Sequence, residues 1–175
     1  EESLRAFDDL VRAGKVRYVG CSNYPAWRLG QALGAADRLG LTRYASLQPR
    51  YNLLYREIET ELLPLVRAEG LGVLCYNPLA GGLLSGKYRR DEAPQQQTRF
   101  TLGAAGAMYQ TRYWQDPYFA AVDTLAAALR DRGVSIVSVA VSWVLRQAGI
   151  TSAIIGASRA DQLPAGRSKH PAHGH

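Results

Sequence analysis

Histidine is missing from almost the whole chain. All three histidines lie among the last six residues, so the stretch from Glu1 to Leu163 contains none. A general acid or base that works near neutral pH is most often an imidazole, and we expect no such chemistry from this stretch alone. The histidine-rich end, SKHPAHGH, offers proline and glycine instead of a scaffold that orients metal ligands, so we predict no metal site.

Cysteine and long apolar runs are also scarce. Two cysteines, Cys21 and Cys75, are too few for a disulfide scaffold or a zinc cage, and both end short apolar runs, which predicts buried, reduced thiols. No apolar run approaches the roughly 18–20 residues that a membrane-spanning helix needs. The first residues, EESLRAFDDLVRAGK, lack the apolar core of a signal peptide. We therefore expect a cytoplasmic protein without a membrane span.

Positive charge exceeds negative charge, but the basic residues are spread along the chain. The net charge is +6, and the densest basic cluster is Lys87-Tyr88-Arg89-Arg90. The aromatic residues are not interleaved with basic residues as a base-stacking surface requires. We therefore interpret the cluster as a solvated loop or a site for one phosphate, and we predict no nucleic-acid partner.

Strand and helix patterns alternate along the chain, which has the length and composition of one globular domain. The segment 135–147 has the β-branched content of a strand, but its apolar positions favour a helix. Residues 79–111, rich in glycine, glutamine and charge, are predicted to form a long irregular loop. The predicted strands are 16–21, 44–48, 71–76 and 153–156, and the predicted helices are 3–13, 25–39, 58–66, 116–132 and 135–147.

This alternation predicts βα units on a parallel sheet. Four strands and about five helices are roughly half of a (β/α)8 barrel, which typically has about 250 residues. A doubly wound sheet is the alternative, but it normally carries a glycine fingerprint after its first strand, and Ser22-Asn23-Tyr24-Pro25 is not one. Polar and glycine residues follow every predicted strand at its carboxyl end, where a barrel builds its site, so we favour the barrel.

Four sequence motifs stand at the predicted strands: GKVRYVGCSNY, LQPRYNLL, YNPLAGGLLSGKY and AIIGASRADQL. Together they resemble the second half of an aldo-keto reductase, and residues 99–114 are similar to the branch that includes the aflatoxin-aldehyde and succinic-semialdehyde reductases. The resemblance implies a (β/α)8 TIM barrel, with residues 1–163 as its C-terminal half, that uses NADPH to reduce aldehydes and ketones to alcohols. Residues 164–175, PAGRSKHPAHGH, depart from it and are expected to be a disordered tail.

The resemblance assigns four residues at strand ends to the nicotinamide of NADPH. Ser22 and Asn23 match the pair that hydrogen-bonds the carboxamide, and Gln48 matches a further polar contact to it. Tyr76 matches the aromatic residue on which the nicotinamide ring stacks, although a tyrosine at this place also suits a plain core or rim position.

The rest of the cofactor site and two substrate contacts follow from the same resemblance. Residues 77–87 match the loop around the pyrophosphate, where glycines allow close approach of the backbone. Residues after the last strand match the segment that holds the adenosine and its 2′-phosphate, although Arg159 also suits an exposed helix start. Tyr109 and Arg112 match substrate contacts, and an arginine there suits an aldehyde that bears a carboxylate. The further cofactor residues implied are Asn77, Pro78, Leu79, Ala80, Gly82, Leu84, Gly86, Lys87, Arg99, Gly156, Ala157, Ser158, Arg159 and Gln162.

The family's catalytic tyrosine, lysine, aspartate and histidine come from the first half of the barrel. We therefore predict no catalytic residue in this chain, and we expect it to be inactive without the N-terminal half. Two alternatives stay open: a cofactor-binding or regulatory relative without turnover, similar to the barrel-shaped potassium-channel β subunits, and a non-functional truncated gene product. The expected partner is a small aldehyde or ketone, while the oligomeric state is left open.

Half a barrel also has a predictable physical weakness. It leaves two unpaired strand edges and an uncovered interior, which we expect to be apolar. The chain alone is therefore expected to aggregate or to need a complementary half.

Overall fold

The computed structural model describes residues 1–157, in which four parallel strands pair in sequence order, β1-β2-β3-β4. The strands are β1 Val19–Ser22, β2 Tyr44–Gln48, β3 Gly72–Tyr76 and β4 Ser152–Ile154. The α-helices are α1 Glu2–Arg12, α2 Ala26–Leu39, α3 Leu62–Ala68, α4 Gly103–Tyr113, α5 Asp116–Leu129 and α6 Ile136–Leu145. Short 3₁₀ segments are Glu57–Glu59, Ala80–Ser85 and Arg130–Arg132.

Helices cover one face of this sheet. The strand register aligns Cys21, Leu47 and Val73 in one row, and Leu47 and Val73 are completely buried. They belong to a core that includes residues of α1, α2 and α3 as well as Val144 of α6. Burial of this apolar row against amphipathic helices is what makes each βα unit fold back onto the sheet.

On β1 and β2 the residues of the opposite face are small or polar, so the expectation of an apolar interior is wrong for these two strands. Leu74 and Ile154 stand on this face among much smaller or more polar neighbours. Small side chains on some strands of a barrel leave room for larger ones from other strands, which accounts for the pattern. The aligned residues on this face include Gly20, Ser46 and Gly72 in one row and Ser22 and Gln48 in the next.

Helix α4 is the main departure from the predicted elements. It lies in the segment 79–111 that was predicted to be irregular, so that prediction is wrong for its second part, and the count of about five helices is one too low for residues 1–157. The helix packs close to the preceding chain: a Cβ at Gly106 would lie 2.9 Å from the carbonyl oxygen of Phe100. Glycine at this position therefore allows α4 to pack closely on the chain that precedes it.

The remaining elements agree with the sequence-based prediction to within a few residues. Residues 135–147 are helical, as α6, and β4 begins and ends slightly earlier than predicted. The predicted helix 58–66 is divided into the 3₁₀ segment Glu57–Glu59 and α3, which begins at Leu62. Pro64 thus lies in the first turn of α3, where the lack of an N–H group costs no hydrogen bond.

A second apolar core lies beyond the end of β3. It joins the 3₁₀ segment Ala80–Ser85 to α4, α5 and α6, and it is separate from the core under the sheet. Aromatic rings dominate it, with Phe100 in contact with Tyr88, Tyr109 and Trp114 at centroid distances of 4.9–6.3 Å. This core packs the long connection after β3 against α4, α5 and α6.

The cysteines are free thiols. Cys75 is buried as expected, whereas Cys21 is only half-buried. Burial raises the pKa of Cys21 to about 11 and that of Cys75 to about 12.

Within the described part of the chain, no helix combines the length and apolar character that crossing a membrane requires. The predicted domain boundary at residue 163 and the tail 164–175 lie outside the described residues.

We predict that the isolated chain of 175 residues self-associates. Among residues 1–157, β1 pairs only with β2 and β4 pairs only with β3, so two strand edges expose unpaired backbone groups. Light scattering after size-exclusion chromatography should show species larger than a monomer. Ile154→Lys should reduce the association, because it places a charge on the uncovered sheet face at the β4 edge.

Val134→Lys is the matched control, because Val134 is an exposed residue in the connection before α6. A soluble monomer with a cooperative thermal transition would contradict the prediction.

Candidate cofactor site

The carboxyl ends of β1, β2 and β3 meet at one edge of the sheet, as parallel strands require. Side chains from these ends contact one another there. The Tyr76 hydroxyl donates a hydrogen bond to Oδ1 of Asn23 at 2.9 Å, and the Ser22 hydroxyl donates to the carbonyl oxygen of Gln48 at 2.8 Å. The four residues assigned to the nicotinamide by resemblance are therefore neighbours in space.

A cavity of about 640 Å³ opens beside Tyr76, between the ends of β3 and β4. Its size lies within the range of small-molecule sites. The predicted substrate residue Tyr109 lines the same cavity. The cavity is also lined by these predicted cofactor residues: Tyr76, Asn77, Pro78, Leu79, Gly82, Lys87, Arg99, Gly156 and Ala157.

The cavity is cationic. Lys87 and Arg99 line it, and no carboxylate is among its lining residues in the described chain. One Nη atom of Arg99 lies 3.8 Å from the position that a Cβ of Gly156 would occupy, and Cε of Lys87 lies 3.9 Å from the corresponding position at Gly82. The two cations thus stand next to the two glycine-containing segments, an arrangement that suits an anionic ligand.

The loop between Asn77 and Gly86 shapes the cavity wall. Gly81 and Gly82 have φ values of 72° and 104°, and a Cβ at Gly81 would lie 2.8 Å from Cδ1 of Tyr109. Only glycine combines this backbone conformation with this close approach. The N–H groups that already donate within the loop include those of Ala80, Gly81, Gly82, Leu84 and Gly86. The loop backbone therefore supplies shape, while the side chains of Lys87 and Arg99 supply the charge.

A buried hydrogen-bond network fixes this loop, and the sequence analysis did not single it out. Nδ2 of the fully buried Asn52 donates to the carbonyl oxygen of Asn77 at 3.0 Å and to the Tyr113 hydroxyl at 3.1 Å. Nδ2 of Asn77 also donates to the Tyr113 hydroxyl, and its Oδ1 accepts from the Gly81 N–H at 2.7 Å. Burial raises the pKa of Tyr113, so its hydroxyl stays protonated.

Nothing in the residue types of Asn52 and Tyr113 signals this role. Asn52 lies in the turn-like run that begins at Pro49, and Tyr113 lies in the segment before the predicted fourth helix, 116–132. Their contact joins positions 61 residues apart, which no local pattern reports.

A second cavity, of about 550 Å³, lies on the other side of Tyr76. It is lined by Asn23, by the predicted substrate residue Arg112, and by the loop after β2, which includes Arg50 and Tyr55. The structure therefore divides the predicted residues between two cavities that share one tyrosine ring.

Several predicted residues line neither cavity. Ser22 and Gln48 lie exposed at strand ends, Ala80 and Leu84 are buried in the second core, and Gly86 ends the 3₁₀ segment with a φ of 72°. Their assignment to the cofactor stays a prediction. Three further assigned residues lie outside the described part of the chain, namely Ser158, Arg159 and Gln162.

The basic cluster at residues 87–90 does not form a continuous charged surface. Lys87 lines the first cavity, Arg89 is exposed, and Arg90 forms an ion pair with Asp116. This separation fits a site for one phosphate better than a nucleic-acid surface. Among residues 1–157, no three histidine, cysteine, aspartate or glutamate side chains come close enough together to hold a metal ion.

Comparison with known proteins agrees with this architecture. The chain belongs to the aldo/keto reductase family, whose family model matches residues 1–166. Together with the parallel sheet, this membership confirms the predicted fold class, a (β/α)8 barrel of which the chain supplies about half.

Individual relatives are about one third identical to this chain over the region that matches. A human protein named aldo-keto reductase family 7 member A3 is 34% identical, with 93% of this chain and 53% of that protein covered. Rat aflatoxin B1 aldehyde reductase member 2 is 33% identical, with 93% and 47% covered. A probable voltage-gated potassium channel subunit beta from Arabidopsis thaliana is 34% identical, with 93% and 49% covered. The chain thus spans about half the length of the curated relatives it matches.

We predict that the buried network controls the glycine loop. In the whole protein, Asn52→Ala should lower the free energy of unfolding by about 1–3 kcal/mol, because it leaves buried hydrogen-bonding groups without partners. Tyr113→Phe should accelerate hydrogen exchange at the Gly81 amide, since the acceptor of that amide is held by Tyr113. Urea unfolding and hydrogen-exchange mass spectrometry measure the two effects.

The control is Tyr118→Phe, which removes a hydroxyl from a half-buried tyrosine of α5 outside this network. If it changed exchange at Gly81 as much as Tyr113→Phe, the network would not be responsible.

Proposed function

We propose that the protein to which this chain belongs is an NADPH-dependent aldo-keto reductase of the cytoplasm that reduces aldehydes or ketones to alcohols. In this proposal the chain carries the cofactor-binding half of the barrel. The observation that supports it most is the cationic cavity of about 640 Å³ at the carboxyl ends of β3 and β4. Family membership supports the reaction class.

The nicotinamide end of the cofactor would lie at Tyr76. This ring forms part of both cavities and is held by its hydrogen bond to Asn23, so it offers a fixed aromatic face for stacking. Ser22, Asn23 and Gln48 would hold the carboxamide with short polar side chains. When bound there, NADPH supplies the hydride for reduction of a carbonyl group.

The phosphates would lie between Lys87 and Arg99. The fit rests on the charge of these two side chains and on the close approach that Gly82 allows. Gly156 and Ala157, which line the same cavity, would contact the adenosine end. Preference for NADPH over NADH would depend on Arg159, because a guanidinium suits the 2′-phosphate.

The proton chemistry would come from the remaining strands of the barrel. The family's catalytic tyrosine, lysine, aspartate and histidine match no residue of this chain, so we propose that the chain alone is inactive. Tyr109 and Arg112 would contact the substrate, and Arg112 would favour an aldehyde with a carboxylate.

A second function is supported by one relative. The potassium channel subunit beta relative from Arabidopsis thaliana is as similar to this chain as the human family 7 member is. A regulatory protein that binds NADPH without turnover would need the same cavity. The two functions differ in aldehyde-dependent oxidation of the cofactor, which only the reductase performs.

In the whole protein, we expect NADPH to bind and to be oxidised on addition of an aldehyde. Arg99→Met should weaken NADPH binding by about tenfold or more, because a charge-assisted contact to phosphate is lost. Titration of NADPH fluorescence measures binding, and absorbance at the reduced nicotinamide band measures turnover. Higher ionic strength should also weaken binding.

Arg89→Met is the matched control, since Arg89 is exposed and does not line the cavity. Binding without turnover would favour the regulatory function, and the absence of both would reject the proposed cofactor site.

A further inference from the structure

Two guanidinium groups line the second cavity, and only one of them has an assigned role. Arg112 is the predicted substrate contact, whereas Arg50 belongs to the loop after β2. Both residues are half-buried. None of the carboxylates in residues 1–157 forms an ion pair with either of them. Two partly desolvated cations without a protein counter-ion create a strong preference for an anion between them.

The surroundings of Arg50 orient its guanidinium. Its Cζ lies 3.5 Å from the centroid of the Tyr55 ring, and the Tyr55 hydroxyl donates a hydrogen bond to Oε2 of Glu57 at 2.6 Å. A guanidinium that stacks on an aromatic ring keeps its in-plane N–H donors free for another partner. Its backbone is fixed too, since Arg50 pairs with Tyr76 at the end of the sheet.

The two guanidiniums line the same cavity, and both lie near enough to Tyr113 to oppose the rise that burial causes in the pKa of its hydroxyl. Cζ of Arg50 lies 5.8 Å from the ring centroid of Tyr113, the residue that follows Arg112. The cavity wall also contains Glu57 and Glu61, but both are exposed, and Glu57 already accepts the hydrogen bond from Tyr55. The half-buried part of the cavity is therefore cationic, and its exposed rim carries the carboxylates.

We propose that Arg50 is a specificity-determining residue that, together with Arg112, binds one anionic group on the carbonyl substrate. The group is a carboxylate or a phosphate, because both accept paired hydrogen bonds from guanidinium forks. This inference rests on the proposed reductase function, since Tyr76 joins the second cavity to the proposed nicotinamide position. The carbonyl end would lie near Tyr76, and the anionic end would lie between Arg50 and Arg112.

The test compares matched substrates in the whole protein. The probes are 4-carboxybenzaldehyde, 4-formylphenyl phosphate and the neutral methyl 4-formylbenzoate. Arg50→Ala should lower the ratio of kcat/KM for an anionic aldehyde to kcat/KM for the neutral ester by about tenfold to a hundredfold. The anion whose ratio falls more identifies carboxylate or phosphate as the preferred group.

Further variants separate charge from geometry. Arg50→Lys keeps the charge but lacks the planar fork, so it should lower the ratio by less than Arg50→Ala. Tyr55→Leu should lower the ratio by removing the ring under the guanidinium, whereas Tyr55→Phe keeps the ring. Arg50→Ala and Arg112→Ala combined should lower the ratio by less than the product of the single effects, because both contacts serve one anion.

Arg17→Ala is the control for loss of one positive charge, since Arg17 is exposed and lines neither cavity. Ratios for Arg50→Ala and Tyr55→Leu that equal the ratio for Arg17→Ala would overturn the proposal. The proposal would also be overturned if Arg112→Ala lowered the ratio and Arg50→Ala did not.

A binding measurement makes the proposal independent of turnover. Terephthalate carries carboxylates at both ends and has no aldehyde or ketone group to reduce. Calorimetric titration should show that Arg50→Ala weakens its binding. If the wild-type protein reduced none of the aldehydes, the proposed reductase function would be rejected and this binding test would remain valid. Equal terephthalate affinity in wild type and Arg50→Ala would reject the role of Arg50 itself.

Discussion

One buried amide holds the candidate site in shape. Asn52 has no exposed surface, and burial of an amide without partners is costly. Its cost is offset because the side chain donates to Asn77 and Tyr113 and accepts from the N–H of Leu54. These contacts join the loop after β2, the glycine loop after β3 and helix α4. The three segments cannot shift independently, and between them they form walls of both cavities.

The division of the site into two cavities follows from the parallel sheet. Every strand ends at the same edge, so Tyr76 at the end of β3 stands between the loops that follow its neighbours on both sides. The loop backbones supply shape, while the cations that are proposed to bind ligands belong to long side chains. Lys87 and Arg99 serve the first cavity, and Arg50 and Arg112 serve the second. Changes in these side chains can therefore alter ligand preference without changing the scaffold.

The sequence predicted the parts of this molecule that depend on local pattern. Strands, most helices and the motif residues around Tyr76 follow from short-range apolar spacing and recognisable runs of residues. Helix α4 was not predicted, because the glycine, glutamine and charge of residues 79–111 favoured a loop, and the close packing of Gly106 on the backbone near Phe100 exists only in the folded chain. The contacts of Asn52 and the role proposed for Arg50 could not be predicted from the sequence either. They depend on partners such as Tyr113, which is brought close only by the folded chain.

The pKa shifts of the buried tyrosines agree with the proposal that the proton donor lies outside this half of the barrel. A tyrosine that donates a proton near neutral pH needs a lowered pKa. Burial instead raises the pKa of Tyr44, Tyr51, Tyr55 and Tyr113. These hydroxyls therefore act as neutral hydrogen-bonding and packing groups. The cationic side chains that line the two cavities are proposed to bind anions, and Tyr76 with its polar neighbours is proposed to hold the nicotinamide. The proton donor of the proposed reaction would then come from the strands that complete the barrel.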